Sequence, residues 1–343
     1  MKNLHIISLG CARNLVDSEI ILGSMQAKGY NISDEAKNSE VIVVNTCGFI
    51  DQAKQESVDT ILEAAQFKEK GSCEKLVVVG CLSERYSEEL QESIPEIDLI
   101  MGSSSFPHVA DEVEKLYLAN SSSEAEDKIV IHQERLKDFD LPRVNSLGKQ
   151  SAYLKVAEGC AKRCSFCVIP QLRGKLRSRS IASLSKEAMS LVGQGVRELN
   201  LIAQDLTDYG LDRQDGASLA KLIDSLTAIS DLRWLRLFYA YPDQLNDEVI
   251  DRIASQEKIC RYLDIPVQHI SNKILKSMNR RTCAEDIYRM IERVRERVPG
   301  IFIRTSLMVG FPGETEEDFQ MLEDFVKRGW IDHLGVFSYS HEE

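Results

Sequence analysis

Two α/β domains in series are what the sequence predicts: a doubly wound parallel sheet over residues 1–119, a linker over 120–145, and a partial, open β/α barrel over 146–343. Three observations carry this. Short apolar runs alternate with segments of helical period along the first stretch. A Ser-rich, acidic passage holding Pro142 and Gly148 then interrupts the alternation, and from residue 151 it resumes with six strand-like runs. Parallel strands buried on both faces read as nearly continuous apolar runs, with amphipathic crossover helices between them.

In the first stretch LHIISL, VIVVN and KLVVVG are the strands, and NLVDSEIILGSMQAKG, IDQAKQESVDTILEAAQ and SERYSEELQES the helices. Ligands of such a sheet gather past the carboxyl ends of its strands. Cys11 follows HIISLG, Cys47 follows VIVVNT and Cys81 follows KLVVVG, with Gly10, Gly48 or Gly80 adjacent. Glycine lets the backbone turn tightly and approach a bulky inorganic group. The three thiols together are therefore candidate metal ligands, although any one of them alone reads as a packing residue. Cys73 precedes its strand, at the opposite edge, and reads as a structural or surface thiol. The passage 120–150 carries one short apolar run, read as a single extended segment, and His132 within it reads as a solvated loop histidine.

In the second stretch AYLKVA, VRELNLIA, LRWLRLFYA, RYLDIPVQ, IFIRTSLMVG and HLGVFSYS are the strands. Fewer residues remain than the ~250 of a complete eight-fold barrel, so a partial and open one is expected, with its site at the strand C-termini. The first loop at that face is EGCAKRCSFCVIP, where Cys160, Cys164 and Cys167 form C-x3-C-x2-C. Three thiolates on one short loop can each ligate one iron of a 4Fe-4S cube, whereas a closed electron-transfer site has a fourth cysteine. The next thiols, Cys260 and Cys283, lie far along the chain and read as structural, so the fourth iron is expected to be open to a small chelating molecule. The alternatives are a zinc site, which wants four N or S ligands, and buried thiols acting as small hydrophobes.

A formal charge of -12, from 42 basic and 54 acidic side chains, argues against broad nonspecific nucleic-acid binding and is compatible with a basic macromolecular partner. No apolar run reaches the ~18 residues of a spanning helix, and MKNLHIISLG lacks the basic and long apolar regions of a signal peptide. A cytoplasmic location is expected. There, nine cysteines read as metal ligands and free thiols rather than a disulfide framework.

The C-x3-C-x2-C triplet resembles the signature of the radical S-adenosylmethionine (SAM) enzymes. The two thiol sets in this order resemble the methylthiotransferases, a branch of that superfamily with an N-terminal cluster domain. The motifs span essentially the whole chain: SLGCARNLVDSE, NTCGFIDQAKQES, VVGCLSERY, AYLKVAEGCAKRCSFCVIPQLRGKLRSR, YLDIPVQHIS and FIRTSLMVGFPGETEEDF. Within the branch, SLGCARNLVDSE and NTCGFID look like the RimO type, which methylthiolates the β-carbon of an aspartate in the decoding-centre protein of the small ribosomal subunit. The MiaB type modifies an adenosine in tRNA. Its members usually show Gln-Met-Asn after the first cysteine and Ser-Ile-Arg after the second, where this chain has ARN and GFI.

The resemblance implies two 4Fe-4S clusters. One would sit on Cys11, Cys47 and Cys81, where the transferred sulfur resides. The other would sit on the catalytic trio Cys160, Cys164 and Cys167, capped by the amino and carboxylate groups of SAM. SAM would serve twice, as methyl donor and as the source of a 5'-deoxyadenosyl radical that removes hydrogen from the substrate carbon. The implied partners are the ribosomal protein and an electron donor, with no membrane and with direct nucleic-acid binding not the main role. Family members usually continue into a small C-terminal β-barrel, the TRAM domain. This sequence stops at FSYSHEE, so the radical SAM core is expected to be incomplete at its C-terminus and the TRAM domain lacking. The competing class is an iron-sulfur electron-transfer or scaffold protein.

Further candidates surround the second trio. Gln204 and Asp205 end the second barrel strand, where the resemblance implies contact with the methionine end of SAM; otherwise they cap the next turn. Asp264, Pro266 and Gln268, with Arg304 and Ser306, alternate toward a barrel interior if their segments are strands. A guanidinium there needs an anion, either the SAM carboxylate, the substrate aspartate or a structural partner. Gly310, Pro312 and Gly313 suit a tight turn beside the adenine, or simply a strand-to-helix turn with Thr315 as N-cap. Arg173, Lys175, Arg177 and Arg179 form a basic run that offsets cluster charge, touches substrate or is a solvated face. Phe166 is expected to pack on the cluster or the adenine, and His269 to be a satisfied histidine near the pocket.

Overall fold

The computed structural model describes residues 1–118, 128–132 and 138–342. It divides into two compact units, residues 1–146 with 171–173, and residues 147–170 with 174 onward.

In the first unit β1 (Asn3–Ser8), β2 (Asn31–Ile32), β3 (Val41–Thr46), β4 (Lys75–Gly80), β5 (Leu99–Gly102) and β6 (Ile129–Val130) form one sheet of order β2-β1-β3-β4-β5-β6. Every pair is parallel. All six residues of β3 are buried, as the unbroken VIVV run requires of a strand covered on both faces. The edge strand β2 has two residues, too few to show a period in the sequence. The segment SERYSEELQES, read as one helix, breaks at Tyr86 into Cys81–Arg85 and Ser87–Ser93, so Cys81 itself opens a helix.

The helix Ala12–Ala27 is buried on nearly every side, polar residues included. Burying such groups is costly unless each finds a partner, and all but the Ser24 hydroxyl do. Ser18 donates to Ser8 Oγ at 2.8 Å, and Asp17 pairs with Arg173. Glu19 accepts from Arg143 Nε at 2.8 Å and from the Ser146 N–H at 2.7 Å. The described part of 120–145 thus belongs to the first unit: Ile129 and Val130 pair with Ile100 and Met101, and 142–146 lie along this helix. His132 is half-buried rather than solvated, stacked on His108 at 4.1 Å and 3.3 Å from Glu112.

In the second unit β7 (Ser151–Lys155) is followed by two short segments, β8 (Ala157–Glu158) and β9 (Arg177–Ser178), which pair antiparallel with each other. Then come β10 (Glu198–Ile202), β11 (Trp234–Leu237), β12 (Ile259–Asp264), β13 (Phe302–Val309) and β14 (His333–Ser338). The sheet order β14-β13-β12-β11-β10-β7 is sequential, parallel throughout, and has two ends, so the barrel is open. All six strand-like runs of the sequence are its strands. Ser180, Ser218, Asn246 and Thr315 cap four of the intervening helices, each side chain accepting a backbone N–H three residues on, the chemistry preferred at that position.

Candidate functional site

In the first unit β1, β3 and β4 are neighbours, with Ser8 opposite Asn45 and Thr46 opposite Gly80. The strands therefore end level, and Cys11, Cys47 and Cys81 leave from one edge. From β1 the sheet grows to β2 on one side and β3 on the other, so Cys11 and Cys47 flank the switch point where open α/β sheets bind ligands. A Cβ on Gly10, at φ +84°, would lie 2.7 Å from Cys47 Cβ and 2.9 Å from its Sγ. One on Gly48 would lie 2.9 Å from Leu82 Cα. These glycines let the thiol-bearing loops approach one another, a use the sequence did not reveal.

The charge around this trio is uneven. Burial would raise the Cys11 thiol, but the charges of Arg13 and Arg173 and the backbone N–H groups of Asn14 and Arg13 outweigh it and hold the thiol below its ordinary range. Burial pushes Cys47 up, and Cys81 up to about 11 despite the Arg173 guanidinium beside it. Arg173, expected in a basic run near the other trio, belongs to the first unit and is 2 % exposed. It donates to Asp17 at 2.8 Å, to Asn14 Oδ1, and to Cys81 Sγ at 3.5 Å. Asn14, which sequence reasoning missed, donates in turn to the carbonyls of Leu9 and Thr46 at 3.1 and 2.8 Å. The rest of the run divides: Lys175 is exposed and Arg177 half-buried, while Arg179 is buried against Glu187 at 2.6 Å and Ser183 at 2.9 Å.

In the second unit the loop Cys160–Cys167 follows β7 and β8 and is fixed at several points. The Cys160 N–H donates to Gly174 O at 3.1 Å, the Ser165 N–H to Met278 O at 3.1 Å, and Asn279 Nδ2 to Arg163 O at 2.6 Å. Lys162, between two thiols, reaches Asp205, Asp208 and Asp243 at 3.5, 3.1 and 3.4 Å and lies 4.5 Å above the Tyr241 ring. Burial would lower the lysine's pKa, but these three carboxylates raise it above its ordinary range. Burial also pushes Cys160 up to about 11. Phe166 packs with Ile274, Met278 and Phe311. A cleft of about 400 Å³, lined by Ala161, Lys162, Arg163, Tyr241, Asn279 and Arg281, opens beside the loop, within the size range of small-molecule sites.

Each trio offers the three thiolates that a 4Fe-4S cube with one open iron would take. Among the described residues no three His, Cys, Asp or Glu side chains converge where one ion could sit, as a zinc ion at about 2.3 Å from each sulfur demands. A cube spreads its thiolates over separate irons. Two buried acceptors without a hydrogen bond, Gln204 Oε1 and Asp264 Oδ2, stand at the C-terminal ends of β10 and β12, beside Asp205 Oδ2, which faces the Lys162 ammonium at 3.5 Å. A ligand bearing N–H and O–H donors, as SAM does, meets that need.

Residues 3–102 match the profile of "Uncharacterized protein family UPF0004", and residues 154–326 that of the Radical SAM superfamily. The chain is 48% identical over 342 residues to the ribosomal protein uS12 methylthiotransferase RimO of Syntrophotalea carbinolica, covering 100% of this chain and 74% of that protein. It is 49% identical to the same-named protein of Trichlorobacter lovleyi, covering 100% and 75%. The chain belongs to the RimO methylthiotransferase family. Among solved structures, the radical SAM methyltransferase TsrM of Kitasatospora setae shares the fold at TM-score 0.70 and 16% identity, covering 98% of this chain and 73% of that one. The cobalamin-dependent SAM radical enzyme OxsB does so at 0.66 and 14%, covering 96% and 52%.

In this RimO-family chain the residues around the second trio divide. Asp205 Oδ1 caps the next turn through Thr207 N at 2.9 Å, and burial, followed by the charge of Asp208, pushes its carboxyl up to about 6. Gln204 Nε2 donates to Glu158 at 3.3 Å. Arg304 finds a structural partner, the cross-strand Asp264 at 3.0 Å, whose carboxyl burial raises. Gln268 departs from the strand alternation read in the sequence. β12 ends at Asp264, and Gln268 takes φ +70°, its backbone bracketed by Ser306 O and Met308 N. Tyr239 and Asn279 are also left-handed. Such conformations cost energy and cluster at functional sites. Gly310, at φ +76°, has open space where a Cβ would stand. His269 is fully buried, its Nδ1 accepting from the Ser271 N–H and its Nε2 3.6 Å from Glu314.

Thr315 caps the helix Glu316–Lys327 through a reciprocal box with Asp318. Hydrogen bonds from Ser271 and Lys273, then from Thr315, hold the Asp318 carboxyl well below the ordinary range. A depressed carboxyl contributes stability that is present above its unfolded value of ~3.9 and lost as pH falls through the folded one. Asp318→Asn is expected to cost roughly 1 kcal/mol near neutral pH. Urea midpoints should show the gap from the parent closing as pH falls below ~4. A gap constant with pH would refute this account.

Proposed function

We propose that this chain is a radical SAM methylthiotransferase that adds a methylthio group to the β-carbon of an aspartate in ribosomal protein uS12. The strongest support is the pairing of two thiol trios, each past the strand ends of its own unit, with near-50% identity along the whole chain to proteins of that name. Cys11, Cys47 and Cys81 hold one 4Fe-4S cluster, and Cys160, Cys164 and Cys167 the other. When bound, the clusters and SAM supply the radical chemistry that activates an unreactive C–H bond. That bond, beside a carboxylate, is too weakly acidic for a side-chain base working near neutral pH.

The chain's own residues hold and orient. Lys162, fixed by three carboxylates, sets the loop that carries the second trio. Gln204 offers its unmatched acceptor, and Asp205 the oxygen it turns toward Lys162, to the amino end of SAM. Asp264 takes one nitrogen of Arg304, and the rest of that fork serves the anionic end. The bare turn at Gly310 and the constrained backbone of Gln268 border the adenosine. Among the described residues no helix is long and apolar enough to cross a membrane. The cytoplasm, where ribosomal proteins meet reduced thiols, is the compartment this reading implies, and an electron donor is its further partner.

The test is anaerobic reconstitution followed by incubation with SAM, a reductant, and either uS12 or tRNA. Mass spectrometry should find a methylthio adduct on the protein. A mark on tRNA alone overturns the assignment of substrate, and a chain that binds iron but yields no 5'-deoxyadenosine is a scaffold or electron carrier. Gly10→Ala is expected to force the Cys11 and Cys47 loops apart and remove up to half the bound iron, about four of eight atoms. Gly148→Ala, at φ +83° with nothing within 4 Å, imposes the same backbone conformation without the clash. It should leave the iron content unchanged, and equal losses in both variants would refute the loop-packing explanation.

A further inference from the structure

The guanidinium of Arg173 contacts a proposed ligand sulfur, Cys81 Sγ, and its surroundings fix both its place and its charge. The segment Gln171–Arg173 belongs to the first unit, where Leu172 O accepts from Ser103 Oγ at 2.8 Å. The guanidinium forks: Nη1 on Asp17 Oδ2 at 2.8 Å, Nη2 on Asn14 Oδ1 and on Cys81 Sγ at 3.5 Å. Asn14 cannot turn away, because its amide nitrogen is held by the carbonyls of Leu9 and Thr46, which precede the Cys11 and Cys47 loops. Asn45, also buried, locks the same helix turn by donating to Asn14 O and Ser18 Oγ at 2.9 Å each. An almost fully buried ion pair, 2% exposed on each side, is a poor source of stability by itself. Set against a thiolate, it has an electrostatic use.

We propose that Arg173 is a positioning residue that donates an N–H···S hydrogen bond to Cys81 and sets the reduction potential of the cluster held by Cys11, Cys47 and Cys81, with Asp17 tempering its charge. This rests on the reading that the trio holds a cluster. A cation and a hydrogen bond at a ligand sulfur favour the more negative, reduced state and raise the potential. Removing the cation lowers it; removing its counter-carboxylate raises it.

The test uses the full chain with Cys160, Cys164 and Cys167 replaced by alanine, so that only this cluster remains, and potentiometric titration followed by electron paramagnetic resonance. Arg173→Gln should lower the potential by about a tenfold change in the reduction equilibrium, ~59 mV for one electron. Asp17→Asn should shift it the opposite way. Opposite shifts support the proposal. An iron-loaded Arg173→Gln or Asp17→Asn whose potential is unmoved overturns it, as do shifts of the same sign. If Arg173→Gln takes up no iron, Asp17→Asn alone decides by the sign of its shift. If the parent itself binds no iron, the cluster assignment fails instead, and the two failures are distinguished.

Discussion

Cys164→Ala is expected to reduce 5'-deoxyadenosine formation to the level without enzyme and to halve bound iron, from about eight to about four atoms per chain. The expectation follows from how the loop is held. Its backbone is tied to Met278, Asn279 and Gly174 and its lysine to three aspartates, so deleting one half-buried thiol leaves the loop in place. What is lost is one of three anchors for a cube that has no fourth. The thermal midpoint of the metal-free protein should stay within a few degrees of the parent. Persistent SAM cleavage in this variant would falsify the assignment of Cys160, Cys164 and Cys167.

Cys81→Ala is expected to give the opposite separation. SAM cleavage continues, because the second unit keeps its own trio, while the methylthio adduct on uS12 disappears and iron again falls by half, about four atoms. Arg173 retains Asp17 and Asn14 as partners, so the buried charge is not abandoned, and a gross folding defect is not the cause. Quantifying 5'-deoxyadenosine and adduct in the same reaction checks it. Adduct at the parent level would remove the first trio from the reaction.

Much of this was legible in the residues themselves. Six apolar runs after residue 151 are the six strands of the open barrel because parallel strands covered by helices carry few polar positions. The level ends of β1, β3 and β4 were legible as three strand-end cysteines. Other features were not. β2 has two residues, and no period can be read from two. Arg173 looked like part of a basic surface run, yet it lies in the first unit against residues more than a hundred and fifty positions earlier, Asn14 and Asp17; linear proximity to Cys167 carried no information about that. Arg304 was read as needing an anion, and the sheet register supplies one at Asp264. Gln268 was placed by alternation, which fails once the chain leaves β12 for a left-handed turn. Lys162 gave no signal beyond its position between two thiols.

The even strand ends at Ser8/Asn45 and Thr46/Gly80 impose a lopsided tolerance to insertions and deletions. An added residue in the turns entering β3 or β4 can be absorbed as slack in a crossover. One added inside either strand transposes every later side chain to the other face of the sheet, carrying a sulfur away from its two companions. Length variation in such proteins should therefore accumulate at the edge of the sheet opposite the cysteines, near Cys73 and Ser39, and be purged from the strands themselves.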